Sequence, residues 1–117
     1  MSKKGLLLVG HGSSLPYNKQ LVEDTARLVS RKDPGYIVKS AFMNMNRPTI
    51  PEALEEFKRE DVESVVVVPV FLARGVHINK DIPGELGLPE GSFRGTLVKN
   101  GSAIPLVYAD PIGSDPL

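Results

Sequence analysis

Apolar residues come in two rhythms along this chain, short uniform runs and longer stretches with a helical period, and the two alternate. The first run, Leu6 to Val9, has no polar position and ends in Gly10-His11-Gly12-Ser13-Ser14. That is the pattern of a strand covered on both faces. Between Tyr17 and Lys32, the residues Leu21, Val22, Thr25, Leu28 and Val29 recur at helical spacing, while Lys19, Glu23, Arg27 and Arg31 fall elsewhere. This predicts an amphipathic helix, stopped by Asp33-Pro34-Gly35. Ile37 to Met43 predicts a second strand, with Lys39 and Ser40 breaking its apolar run as an edge position allows. Thr49-Ile50-Pro51-Glu52 is a capping box with proline in the first turn. Ile50, Ala53, Leu54 and Phe57 continue it as an apolar stripe, and Glu52, Glu55, Glu56 and Arg59 read as a solvated face. Ser64 to Phe71, with four consecutive valines, predicts a buried central strand in which Pro69 restricts the ladder.

Strand, helix, strand, helix, strand in this order implies parallel strands joined by right-handed crossovers, which put helices on both faces of a sheet. After Phe71 the pattern weakens. Residues 78–86 predict a short helix, and Asn100-Gly101 between Thr96-Leu97-Val98 and Ile104 to Tyr108 is a hairpin signal. Leu106 to Tyr108 then becomes the last sheet strand, with a possible antiparallel neighbour. The expectation is an α/β fold, flavodoxin-like and doubly wound, with a mostly parallel four-stranded sheet in a single domain over residues 1–117. A sheet of this kind usually covers its last strand with a further helix. The sequence stops at Leu117 first, so a C-terminal helix is missing from the expected set.

Composition removes several function classes. Without cysteine there is no disulfide, thiolate zinc site, iron–sulfur cluster or cysteine nucleophile. Lys and Arg number 14 against 14 Asp and Glu, and this neutrality argues against a nucleic-acid partner, which a basic excess would serve. The longest apolar run, around residues 64–73, falls far short of the roughly 20 residues of a membrane span. Lys3-Lys4 precedes only about five apolar residues, below the ~7–15 of a signal peptide core. A cytoplasmic protein that binds no membrane is the expectation.

The two histidines are the most informative residues. In an open parallel sheet the ligand crevice lies beyond the carboxyl ends of the strands. His11 follows the first strand, and His77 follows the third in Leu72-Ala73-Arg74-Gly75-Val76-His77. In the order 2-1-3-4 these strands are neighbours, so the two loops lie side by side. Neutral imidazole binds borderline divalent metals such as nickel, cobalt and zinc, and it titrates near neutrality. Two imidazoles without thiolates make a weak, open site, suited to a metal in transit rather than to structural zinc. The Gly10 to Ser14 loop could also offer backbone N–H groups to an anion. It lacks the spacing of a dinucleotide or nucleoside-triphosphate loop, and Ser13 lacks the surroundings of a nucleophile elbow.

Val9-Gly10-His11-Gly12-Ser13, then Pro69-Val70-Phe71-Leu72 leading to Gly75-Val76-His77-Ile78-Asn79-Lys80-Asp81-Ile82-Pro83, then Asp110-Pro111-Ile112-Gly113, resemble the short class II tetrapyrrole chelatases. The resemblance runs along essentially the whole chain. Ala41-Phe42-Met43-Asn44-Met45-Asn46-Arg47-Pro48-Thr49-Ile50-Pro51-Glu52-Ala53-Leu54 is similar to the archaeal members, the nickel-sirohydrochlorin chelatases of methanogens. The resemblance implies a chelatase fold, a homodimer of half-length subunits, and insertion of Co(II) or Ni(II) into sirohydrochlorin with His11 and His77 at the metal. The metal is then substrate, and no permanently bound cofactor is implied. Two departures stand out. Longer relatives carry a carboxylate near the end of the second strand, where this chain has Asn44, Met45 and Asn46, and family members continue after Asp-Pro-Ile-Gly into a final helix.

Metal insertion strips water from the ion and removes two pyrrole protons. His11 and His77 are expected to hold the metal on one face of the ring, one of them accepting a pyrrole proton while neutral. The macrocycle is rich in carboxylates, so a neutral protein must meet it with local donors. The candidates are the backbone N–H groups of Ser13 and Ser14 with Arg47, Arg74 and Lys80, each near a predicted strand end. Asp81 and Glu85 are possible outer partners of His77, and Met43 and Met45 read as packing groups. Two alternatives compete. A histidine-type phosphatase would need a phosphate-binding arginine before its His, where Gly10 stands, and a non-catalytic flavodoxin-like binding module leaves His77 without a role.

Overall fold

The computed structural model describes residues 3–12, 16–43, 45–70, 81–88 and 92–109. Within them the alternation predicted from the apolar pattern is present as β1 (Lys3–Gly10), α1 (Pro16–Lys32), β2 (Tyr36–Phe42), α2 (Ile50–Phe57), β3 (Val62–Pro69), α3 (Ile82–Glu85), β4 (Arg94–Lys99) and β5 (Ser102–Tyr108). The strand order is β2-β1-β3-β5-β4. β1 lies parallel to both β2 and β3, with Leu7 opposite Lys39 on one side and Val67 on the other, and β5 runs parallel to β3.

The sheet is doubly wound and mostly parallel as expected, but among the described residues it holds five strands against the expected four. The extra strand is β4, which pairs antiparallel with β5 from Arg94↔Val107 to Lys99↔Ser102. The turn between them is the Asn100-Gly101 pair, both at positive φ, 50° and 80°, as a tight hairpin requires. Only Leu97 of β4 is buried, so its short apolar stretch understates its membership. The short helix predicted over 78–86 occupies Ile82–Glu85, with residues 78–80 outside the described set.

Helices pack on both faces. Alternate residues of β1 point opposite ways. Leu7 and Val9 join Val65, Val67 and Leu106 under Ile50, Ala53 and Phe57 of α2 and Ile82 of α3. Leu8 joins Phe42 and Val70 under Val22 and Ala26 of α1. The capping box is complete: Thr49 N donates to Glu52 Oε1 at 2.8 Å and Glu52 N to Thr49 Oγ1 at 3.3 Å. It anchors the helix that carries Phe57, fully buried at the centre of the larger cluster. Lys39 sits on the edge strand β2, as its polarity suggested. Its Nζ lies 2.9 Å from Glu60 and 3.5 Å from Glu56, and 5.5 Å from the centre of the Phe57 ring. Glu56 therefore does more than face solvent.

Phe57→Ala is expected to cost about 3–5 kcal/mol of stability, since it opens a cavity that the sheet above cannot refill. Val98→Thr, at an exposed position of β4, is expected to change stability by less than about 0.5 kcal/mol. Urea unfolding of both variants checks the contrast.

Candidate functional site

The site begins with how β1 ends. Its last two carbonyls each take a hydrogen bond from a different neighbour: Val70 N donates to Val9 O at 2.9 Å and Met43 N donates to Gly10 O at 3.1 Å. The ends of β2 and β3 are thereby pinned beside His11. Gly10 is compulsory, because a Cβ there would stand 2.7 Å from Val22 Cγ2 and push α1 off the sheet. Gly12 turns the chain away at φ 91°, a conformation that side chains resist.

Between these glycines His11 is half-buried, with its Nδ1 2.9 Å from Gly12 O. A carbonyl oxygen only accepts, so Nδ1 carries the hydrogen and the neutral ring keeps its lone pair on Nε2. A backbone carbonyl holding the other ring nitrogen is the usual way a metal-binding or proton-accepting histidine is oriented.

Beyond β2 the chain loops back on itself: Phe42 N donates to Pro48 O at 2.9 Å, and Phe42 bridges to Thr49. Arg47 lies in this loop. Its guanidinium is paired with Glu52, Nε donating to Oε1 at 3.2 Å and Nη2 to Oε2. That hydrogen bond, with a second from the Thr49 backbone, holds the Glu52 carboxyl down at about 2. A substrate carboxylate that uses Arg47 must share it with Glu52. The sequence placed Glu52 in the cap and on a solvated face, and no helical spacing links it to Arg47, which lies before the helix begins.

Of the other expected site residues, Ser13, Ser14, Arg74, His77 and Lys80 lie outside the described residues, as do Asn44 and the Asp110 to Gly113 motif. Val70 stands beside Val9 at the end of β3. Glu85 then sits in α3, its carboxyl pushed up by burial and by the nearby charge of Asp81. Among the described residues no three metal-ligating side chains cluster. A shallow groove lined by Arg47, Pro48, Glu52, Glu55, Glu56 and Arg59 follows α2. Its three carboxylates against two guanidinium groups make it a poor receptor for a polyacid, and His11 does not line it.

The CbiX family matches residues 5–117, which take in every motif and every strand after Lys4. The chain belongs to the CbiX family. It is 48% identical to the sirohydrochlorin cobaltochelatase of Methanosarcina barkeri over 115 residues, 98% of this chain and 88% of that protein. Among solved structures, a CbiX protein of Marinobacter aquaeolei VT8, assigned to cobalamin (vitamin B12) biosynthesis, superposes with a TM-score of 0.68 at 26% identity, over 97% of this chain and 85% of that one. The sirohydrochlorin chelatase SirB of Bacillus subtilis subspecies spizizenii, solved in complex with cobalt, gives 0.66 at 26% identity over 73% of this chain and 36% of its own. The family agrees with the resemblance read from the motifs.

The Glu52 pairing has a pH signature. Its folded pKa of about 2 lies below the ordinary 4.5, so its contribution to stability is complete above pH 4.5 and is lost as pH falls from 4.5 towards 2. Thermal unfolding followed by circular dichroism is expected to show a steeper loss of midpoint across that window in wild type than in Glu52→Gln.

Proposed function

We propose that this chain is a sirohydrochlorin cobaltochelatase, a single chelatase domain that acts as a cytoplasmic homodimer and inserts a divalent metal into the macrocycle. Its full-length similarity to proteins of that name supports the reading, and the observation that carries it is the oriented His11. Its imidazole, held through Nδ1 by the Gly12 carbonyl, follows the carboxyl end of β1, where an open sheet binds its ligands. Family membership favours this over the phosphatase and the binding module.

In the proposed reaction the hydrated ion exchanges bound water, released to solvent, for the imidazoles of His11 and His77. The four ring nitrogens replace the imidazoles at the metal, and the two pyrrole N–H protons leave, one to an imidazole that has released the metal and one to water. One nitrogen cannot hold a proton and a metal together, so one histidine serves mainly as ligand and the other mainly as base. Ser13, Ser14, Arg47, Arg74 and Lys80 receive the peripheral carboxylates. Co(II) is the metal in the name of the cobaltochelatase relatives and in the SirB complex, and it is the first proposed substrate. Ni(II) is the second proposed substrate, feeding the nickel tetrapyrrole of methanogenesis, because imidazole binds nickel more tightly than cobalt in the general order. SirB is much longer, with this chain spanning 36% of it, and two copies of a short chain would supply the missing bulk around the ring.

Absorbance spectroscopy of sirohydrochlorin with Co²⁺ is expected to show insertion well above the spontaneous rate. His11→Ala and His77→Ala are each expected to slow it by about 10²–10⁴-fold. Wild type that adds nothing to the spontaneous rate overturns the reading. Light scattering is expected to give about twice the 12.7 kDa chain mass, and a monomer would remove the dimer from it.

A further inference from the structure

Arg47 and Glu52 meet fork to fork, Nε donating to Oε1 at 3.2 Å and Nη2 to Oε2. A guanidinium receives a ligand carboxylate in the same geometry. Backbone bonds close the loop independently of this pair, from Phe42 N to Pro48 O at 2.9 Å and from Met43 N to Gly10 O at 3.1 Å. Glu52 also has a second hold, because Oε1 accepts from Thr49 N at 2.8 Å in the cap of α2. A helix N-terminus favours negative charge at that point. The carboxylate can therefore release the arginine and keep a partner. The Arg47 side chain, 79% exposed, has room to turn towards a ligand.

The chemistry of the proposed reaction gives such a pair a use. Metal enters the centre of the ring, and the peripheral acids are the same before and after. A grip on those acids therefore holds product as firmly as substrate, and uniform binding of this kind does not speed the chemical step. A protein carboxylate that competes for a receiving cation weakens both complexes equally and lets product leave. Glu52 meets that requirement, since it lies on the cation itself and stays ionised at neutral pH, its carboxyl held down at about 2. Glu55 lines the same groove but pairs with Lys58 at 2.9 Å, so it is a matched carboxylate on a different cation.

We propose that Glu52 is an internal competitor for Arg47, standing in for a substrate carboxylate in the free protein and displacing the product's acid after metal insertion. The inference rests on the chelatase reading, in which Arg47 receives a peripheral acid, and adds to it a residue that sets affinity and release. The exchange moves no proton. Arg47 passes from one carboxylate to another while Glu52 keeps its place in the cap.

The test is a double-mutant cycle on the binding of metal-free sirohydrochlorin and of its cobalt product, with melting curves confirming that each variant folds. Glutamine preserves a capping box, so Glu52→Gln removes the charge and keeps the cap. Glu52→Gln is expected to bind both ligands about threefold tighter and Arg47→Gln about threefold weaker, a factor within the range of an exposed ion pair. KM for cobalt insertion is expected to fall in Glu52→Gln with no rise in kcat. In the Arg47→Gln background Glu52→Gln is expected to change nothing, and Glu55→Gln, which alters net charge equally, to leave binding nearly unchanged. Weaker binding in Glu52→Gln would make the pair a clamp on the loop and overturns the inference. Tightening that survives without Arg47, or that Glu55→Gln reproduces, would be a general charge effect and overturns it too. Wild type that neither binds sirohydrochlorin nor inserts cobalt overturns the parent reading together with this one. Wild type that does both, with Arg47→Gln binding equally well, overturns this one alone.

Discussion

The hydrogen bonds along both sides of β1, continued through to its last two carbonyls, are the constraint on which the rest of the molecule depends. A parallel strand so engaged must be apolar on both faces, which calls for α1 above it and α2 below. The same bonds bring the ends of β2 and β3 level with His11. The histidine is thus placed by backbone pairing, with its ring held by the Gly12 carbonyl, and Gly10 is the concession that lets α1 come close enough to cover the strand. Core and site therefore share one strand, whose middle supplies packing and whose end supplies chemistry.

Electrostatics at this edge is local. With formal charges in balance, the chain exerts little long-range pull on an anion, and each cation counts by position. Arg47 illustrates this, because its charge is already answered by Glu52 in the free protein. The pairing keeps the guanidinium oriented before any ligand arrives. A ligand acid competing for it meets a carboxylate that stays ionised at neutral pH.

Much of this was legible in the residues themselves. Uniform runs such as Leu6 to Val9 signal doubly covered strands, the Thr49 to Glu52 box sets the start of α2, and Lys39 marks an edge, since each signal is local and has few structural alternatives. β4 was harder to read. A strand with one buried residue is held by backbone pairing to β5, and pairing leaves little trace in side-chain type. The Arg47–Glu52 contact was invisible for a similar reason: it spans a loop whose path is set by hydrogen bonds at Phe42 and Met43. His11 could be named from its place after a strand, but its tautomer could not, because that depends on where the Gly12 carbonyl points. Met45 read as packing from composition alone, and its exposure emerges only with the loop in place.

The Lys39 ion pairs carry one more implication. β2 is an edge of the sheet, and an open edge invites another strand to dock on its unpaired backbone groups, the first step towards aggregation. Lys39 lies in the middle of that edge with its charge turned inward towards Glu56 and Glu60. A strand arriving along β2 would crowd this trio and strip its water without offering a counter-charge in return. The cluster thus works as a guard on the backbone edge, directing any encounter between copies of this protein away from sheet extension through β2.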